Sequence, residues 1–340
     1  MRHRVTSFDV AAAAGVSQST VSRALGGSTA ITEATRARVV AVAERLGYVV
    51  DARAATLRRG TTGTVAVVVI CRPDEAASDI NPFYFSLLGA VSAAAAEAGL
   101  ETLVSFQADE ASLFGRYVER GQADGVIVIG TTTNDAAWDY FRELGDSQGQ
   151  GKYAFWGSPF DELEWVRSDN VAGGRLATRT LIEAGYRDIV HIGTDASAQR
   201  QFGERLVGYG EAMAAAGLDA RVATIDETGD RQMQGRRAVA ALLERGAPFD
   251  ALFVACDSIA LGALAELQQR GVRVPEDCGV IGFDGVLAGA HSNPPLTTIQ
   301  PDFAIAGALL VERMKANVEG DGPERRVPVN LVMRGSVKQS

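Results

Sequence analysis

Between Gln18 and Arg23 the chain reads QSTVSR, a set of side chains able to read duplex DNA. On a 100° wheel Gln18, Ser19, Ser22 and Arg23 share one helix face, backed by Thr20, Val21, Ala24 and Leu25. A Gln amide bonds adenine bidentately, a Ser hydroxyl adapts to several base edges, and an Arg guanidinium takes guanine or phosphate. A plain helical hairpin with its polar face in water has the same periodicity, so the pattern alone leaves both readings open. Common catalytic signatures are missing: no GxxxxGK[ST], no GxGxxG after a strand and no HExxH. The three histidines are His3 in the tail, His191 inside an apolar run and His291 in a loop-like stretch. Together these argue against an enzyme and against a cofactor.

Two short helices and a tight turn must present that face. Thr6 is a candidate N-cap with Asp9 three residues on, a capping-box spacing. The first helix, Ala-rich from Phe8 to Ala14, stops at Gly15, which accepts the left-handed conformation of a helix end. Val16 supplies an apolar plug, and Ser17 caps a second helix to Leu25. Thr32 caps a third, to Leu46, whose stripe of Val39, Val42, Ala43 and Leu46 closes a small three-helix core. The segment Asp51–Arg59 is helix-capable and Arg-bearing, and GTTG at 60–63 reads as a linker.

Charge is unevenly shared. Residues 1–60 carry nine arginines against Asp9, Glu33, Glu44 and Asp51, a net +5; with the whole chain at −9, the remainder carries −14. A basic head on an acidic body suits a nucleic-acid-binding segment whose body is repelled by phosphates. At 340 residues there is room for two or three units with their own cores. Cys71, Cys256 and Cys278 are scattered beside apolar runs with no metal spacing, so free buried thiols and no metal site are expected. The MRHR start lacks a long apolar core behind it, and no stretch approaches a transmembrane length, so a cytoplasmic protein without membrane contact is expected.

The string DVAAAAGVSQSTVSRAL (9–25) resembles the opening of the lactose-repressor (LacI/GalR) family, roughly D-V-A-x-x-A-G-V-S-x-x-T-V-S-R-x-L, and the likeness continues through the body. The resemblance implies a regulator that binds a near-palindromic operator as a homodimer, with Thr6, Ser17, Gln18, Ser19, Thr20, Ser22 and Arg23 as candidate DNA contacts. It implies a hinge helix over 51–59, with Leu57 as minor-groove wedge and Ala54 as the small residue between paired hinges. The family's Pro-Asn before this helix is Val50-Asp51 here.

From Thr64 the rhythm is strand–helix. Apolar runs at 64–71, 101–106, 124–130 and 152–157 alternate with helices near 82–98, 110–120 and 135–144. A second series has strands at 165–170, 188–193, 220–225, 250–255 and 278–285, and helices near 171–185, 204–216, 235–245 and 258–270. Continuous apolar strands alternating with helices imply parallel sheets covered on both faces. The expected fold is α/β: an all-α helix-turn-helix headpiece plus two doubly wound parallel-sheet lobes of periplasmic-binding-protein type. The divisions are 1–50 headpiece, 51–60 hinge and 61–340 effector-binding and dimerisation body. Lobe one is about 61–166 and 302–328, lobe two about 167–300 and 329–340. Crossings are placed near 165–168, 300 and 328–331, a helix near 302–319 returns to lobe one, and a last strand at 327–333 lies in lobe two. Few residues follow that strand, which favours a dimer over a coiled-coil tetramer.

The resemblance also places effector residues. Arg205 in GERLVGY matches a cleft-facing arginine and Asp284 in GFDG a ligand-binding aspartate; a guanidinium and a carboxylate together can share a vicinal diol. Asp257 matches the aspartate of an Asn-Asp pair, with Cys256 in place of the Asn. Trp156 in FWG could stack on a sugar ring, and Phe83 and Tyr84 in NPFYF would line the mouth. A sugar or sugar derivative is therefore expected as effector, with a nucleobase-responsive corepressor type as alternative. A transport solute-binding protein would need a leader and no helix-turn-helix, the reverse of this chain.

Overall fold

The computed structural model describes residues 5–26, 28–48, 61–72, 80–108, 116–148, 152–194, 200–225, 230–246, 248–316 and 325–339. The chain divides into Met1–Gly63 and Thr64–Ser340.

In the first unit, α1 (Ser7–Ala14), α2 (Gln18–Leu25) and α3 (Glu33–Leu46) close on Val10, Val21, Ala24, Val39, Val42 and Ala43. Each buried valine contributes roughly 1.5–3 kcal/mol. The start signals act as read. Thr6 Oγ1 accepts from the Asp9 amide while the Thr6 amide donates to Asp9 at 2.8 Å, and Ser17 accepts from the Thr20 amide at 3.2 Å. Gly15 takes φ 63°, ψ 39°, a conformation a Cβ would oppose, and so turns the chain sharply between α1 and α2. The hinge segment 51–59, with Ala54 and Leu57, lies outside the described residues.

The body is two six-stranded sheets. The first has β1 (Thr64–Ile70), β2 (Glu101–Gln107), β3 (Gly125–Gly130), β4 (Tyr153–Trp156), β5 (Trp165–Ser168) and β11 (Arg326–Val327), in the order β11-β5-β4-β3-β1-β2. The second has β6 (Ile189–Gly193), β7 (Arg221–Thr224), β8 (Ala251–Val254), β9 (Gly279–Phe283), β10 (Thr297–Pro301) and β12 (Val329–Val332), in the order β12-β10-β9-β8-β6-β7. Pairing is parallel except β10 with β12, which is antiparallel. On the first sheet, α4 (Pro82–Glu97) and α10 (Phe303–Lys315) cover one face and α5 (Asp135–Gln148) the other. On the second, α6 (Asn170–Glu183) and α7 (Arg200–Ala215) cover one face, with α8 (Arg231–Glu244) and α9 (Asp257–Gln269) opposite. Double coverage explains why Val65 to Ile70 are all buried and the strands read as unbroken apolar runs.

Three expectations are corrected. The strand at 165–168 does not open the second series: β5 pairs with β4 and β11, so it closes the first sheet and the crossing follows it. The last strand is two, because Pro328 separates β11 in the first sheet from β12 in the second. An unforeseen strand, β10, precedes the second crossing at Pro301–Asp302. The helix expected near 110–120 falls in part on residues 110–115, outside the described residues; residues 116–121 form hydrogen-bonded turns, Arg120 N–H to the Arg116 carbonyl and Gly121 N–H to the Val118 carbonyl. Among the described residues no helix is long and apolar enough to cross a membrane. The three cysteines are buried, and none is in a disulfide.

Candidate DNA-facing helix and ligand cleft

On the first unit, α2 buries Val21 and Ala24 and leaves Ser19 and Arg23 exposed, with Gln18, Thr20 and Ser22 half-buried. The Gln18 amide nitrogen donates to Ser7 Oγ at 3.3 Å, which ties the start of α2 to α1 and orients the side chain. Ser17 Oγ lies 2.9 Å from Ser19 Oγ and 2.8 Å from Thr20 Oγ1, and Thr6 is engaged with Asp9. Gln18, Ser19, Ser22 and Arg23 thus stand on one rigid face, while Thr6, Ser17 and Thr20 hold the helix ends that present it.

In the body, the carboxyl ends of the strands and the first turns of the helices that follow line a cleft that opens to solvent. Parallel α/β sheets place ligand chemistry at this edge, because strand ends and helix N-termini leave polar backbone unpaired there. Phe83, Tyr84, Trp156, Arg205 and Asp284 all line it. Phe83 packs on Trp156 with centroids 5.7 Å apart and on Tyr84 at 5.5 Å, forming one aromatic wall from α4 and β4.

Arg205, 5% exposed, is held on four sides. Its Nε–H donates to Asn170 Oδ1 at 3.0 Å, one terminal nitrogen donates to the Ala255 carbonyl, and the other lies 3.3 Å from Asp284 Oδ1. Its guanidinium carbon sits 3.6 Å from the Phe283 ring centroid. A guanidinium so fixed holds its remaining N–H groups in one orientation, with little entropy left to lose in a further contact. Asp284 has φ 119°, a strained conformation for a residue with a Cβ, and its amide donates to the Ile299 carbonyl at 2.8 Å. Burial pushes its carboxyl up to about 6, against the pull of Arg205 and of a hydrogen bond with the Asn81 side chain. Asn81 comes from the first lobe, where its Oδ1 also accepts from the Phe83 amide at 3.1 Å.

Asp257 departs from expectation and does not line the cleft. It is wholly buried, Oδ1 accepting from Thr298 Oγ1 at 2.6 Å and Oδ2 from the Val286 amide at 2.8 Å. Burial and then the nearby Asp284 raise its carboxyl well above the usual range. It braces the turn that carries Asp284, and its neighbour Cys256 takes the place on the wall.

The sequence reading missed Asn81, Arg167, Asn170, Gln201, Phe202 and Arg231 on the wall. Most sit at the first turn of a helix or the last residues of a strand, which is the signal that was available. Behind them Glu204 joins the lobes: it accepts from Arg167 at 3.0 Å, from Asn170 at 2.9 Å and from Arg326 at 3.2 Å. Burial opposes its charge, yet the hydrogen bonds from Arg326 and Asn170 and the charge of Arg167 hold its carboxyl below the usual range. Among the described residues no group of three or more His, Cys, Asp or Glu is placed to hold a metal.

A helix-turn-helix unit joined to a two-sheet body with its cleft at the strand ends defines a class: a regulator with a periplasmic-binding-type body. Comparison with known proteins is specific on this point. Residues 8–51 match the bacterial regulatory proteins of the lacI family, and residues 178–337 match the periplasmic binding protein-like domain. The transcriptional regulator CelR of Thermobifida fusca is 33% identical over 336 residues, covering 98% of this chain and 96% of that protein. The repressor CytR of Escherichia coli is 31% identical over 342 residues, covering 98% and 96%. Among solved structures, the CelR–cellobiose complex superposes with TM-score 0.67 at 32% identity over 98% of this chain and 100% of that one. The lac repressor dimer bound to operator and an anti-inducer gives 0.75 at 24% over 98% and 99%, a likeness of fold. The chain belongs to the LacI family of bacterial transcriptional regulators.

Proposed function

We propose that this regulator binds a near-palindromic operator as a homodimer in the cytoplasm and answers to a small carbohydrate held between its lobes. It carries out no catalytic step. On DNA, Gln18, Ser19, Ser22 and Arg23 of each chain enter successive major grooves about one helical turn apart, a spacing that a two-fold dimer imposes. Thr6, Ser17 and Thr20 hold the helix ends against the backbone, and the hinge at 51–59, with Ala54 and Leu57, meets the minor groove between them. In the body, Arg205 donates to a vicinal diol and Asp284 accepts from it, while Phe83, Tyr84 and Trp156 take the apolar face of the ring. The observation that carries the reading is the immobilised Arg205–Asp284 pair facing an aromatic wall. CelR, a relative along nearly its whole length, was solved with cellobiose, which makes that sugar the first probe.

Ligand and DNA are linked through the body: seating a sugar on Arg205 and Asp284 changes how the lobes sit, and that alters the grip on DNA by a reciprocal coupling. The test is Asp284→Ala, titrated calorimetrically with cellobiose and a panel of neutral sugars beside the unaltered protein. Ligand affinity is expected to fall about a hundredfold, since a charged hydrogen-bond partner is lost from a buried site, with duplex DNA affinity retained. Undiminished affinity in the variant for a sugar that binds the parent overturns the cleft assignment.

A further inference from the structure

The orientation of Arg205 depends on a side chain that is itself tied to a third. The Arg205 Nε–H donates to Asn170 Oδ1 at 3.0 Å, and Asn170 Nδ2 donates to Glu204 Oε2 at 2.9 Å. Asn170 is 1% exposed, so solvent cannot replace either bond. A guanidinium only donates and a carboxylate only accepts, so a single orientation of this amide satisfies both neighbours. Without the carboxylate the amide keeps one of the two bonds that fix it. Turned over, it would set its NH2 against the Nε–H of Arg205, donor against donor.

Glu204 in turn answers to the first lobe. Arg167 and Arg326 are register partners on β5 and β11, the two strands that precede crossings between the lobes. Arg167 donates to Glu204 Oε1 at 3.0 Å, and Arg326 forks over both oxygens at 3.2 Å each. Their guanidinium carbons lie 3.8 and 5.7 Å from the Trp165 ring centroid, so one indole of the first lobe sets where both stand. Asn170 and Glu204 belong to α6 and α7 of the second lobe. Parting the lobes would therefore carry both arginines away from the carboxylate. Released to solvent, that carboxylate would turn freely and cease to fix the amide.

We infer that Glu204 is a positioning residue for the ligand site: gripped by Arg167 and Arg326 of the first lobe, it fixes Asn170 and through it Arg205, so that the second lobe is set to hold hydroxyls only while the lobes are closed. This rests on the cleft being the ligand site and adds how that site senses the opposite lobe. A sugar seated on Arg205 then favours closure by the same factor by which closure favours the sugar. Neither Glu204 nor Arg326 is among the described residues that line the cleft, so an effect of either on a sugar reaches it through other side chains.

The test uses the full chain, titrated calorimetrically with cellobiose and the panel of neutral sugars. The parent is compared with Glu204→Gln, with Arg326→Gln, with both together, and with Glu204→Gln joined to Asn170→Asp; urea titration checks that each is folded. Glu204→Gln keeps the size of the side chain and loses the charge that holds both arginines, so the sugar Kd is expected to rise about tenfold. Arg326→Gln is milder, because the Arg326 side chain is 42% exposed and Arg167 stays on the carboxylate; a rise of about threefold is expected. In the Glu204→Gln background it should add nothing further, since both act along one chain of contacts. Asn170→Asp exchanges acid and amide and keeps an acceptor on the Arg205 Nε–H. Joined to Glu204→Gln, it should bring Kd back to within about threefold of the parent, a rescue that a space-filling role for Glu204 does not give. An unchanged Kd in Glu204→Gln, effects of the two single variants that simply add, or no recovery with Asn170→Asp overturns the proposal and leaves the cleft reading in place. Should Glu204→Gln fail to fold, an unchanged Kd in Arg326→Gln overturns it equally. No binding of any of these sugars by the parent overturns both.

Discussion

His191 is a ring with little to bond. It lies wholly buried in β6, stacked on Tyr209 at 5.5 Å and tilted on Phe253 at 4.9 Å, and among the described residues neither ring nitrogen makes a hydrogen bond of ordinary geometry. Burial, opposed by weak contact with the Phe253 backbone and aided by the charge of Arg205, pushes the imidazole down to about 3 from an ordinary 6.5. The unfolded chain therefore takes up a proton that the native chain refuses, and stability drains away as pH falls from about 6.5 towards 3. At pH 5 the cost is about 2 kcal/mol, from a shift acting over roughly one and a half pH units. Denaturant titrations at pH 7.5 and about pH 5 should show it, and His191→Phe should flatten the acid limb. An unchanged pH profile in that variant would show that another group controls the acid side. On the first unit Arg23 is exposed at the face of α2, and Arg23→Ala should cost about 1–3 kcal/mol on a duplex selected by the intact protein, with relaxed preference at the base it reads. An unaltered Kd would remove Arg23 from the interface, and ligand titrations of the same variant should match the parent.

At the scale of elements, α8 and α9 meet through a pair of glycines. A Cβ at Gly235 would come within 2.0 Å of the Ile259 carbonyl oxygen, and one at Gly262 within 1.9 Å of the Gln232 oxygen. Backbone opposes backbone at both, so neither neighbour can rotate away. Gly262→Ala should therefore destabilise the body by about 1–3 kcal/mol in urea titration, whereas Gly210→Ala, where a Cβ meets nothing within 4 Å, should be neutral or slightly stabilising. Because Arg231 begins α8, the first substitution should also disturb the cleft. Much at this scale was legible locally: the Thr6–Asp9 box, Gly15, Ser17, Thr32 and the apolar strands act through neighbours a few residues away. What escaped was set by distant partners. The lobe that β5 joins is decided by its pairing with β11, Arg167 opposite Arg326. TTIQP at 297–301 lacks a long apolar run, and it is a buried strand because Thr298 is bonded to Asp257. Arg205 and Asp284 were found through the family resemblance; Arg231 and Asn170 reach the wall only once the chain has folded, and Asp257 reads as a wall residue until Thr298 and Val286 are seen to claim it.

For the whole molecule, the contrast between a +5 head and a −14 remainder sets how DNA binding answers to salt. Affinity for duplex DNA should fall by about a hundredfold or more between 50 and 200 mM salt, as several phosphate contacts release their counterions. A flat salt response in a gel-shift or anisotropy series would contradict the basic head as the DNA-gripping unit. The end of the chain carries a different consequence. Residues 326–327 add an edge to one sheet and 329–332 to the other, and Ser336, wholly buried, donates to the Val280 carbonyl at 2.6 Å and accepts from the Thr297 amide at 2.8 Å. A transcript cut short by some fifteen codons would strip a selvedge from both halves in a single lesion, so late stop mutations should abolish the regulator outright where comparable trimming of most proteins is forgiven.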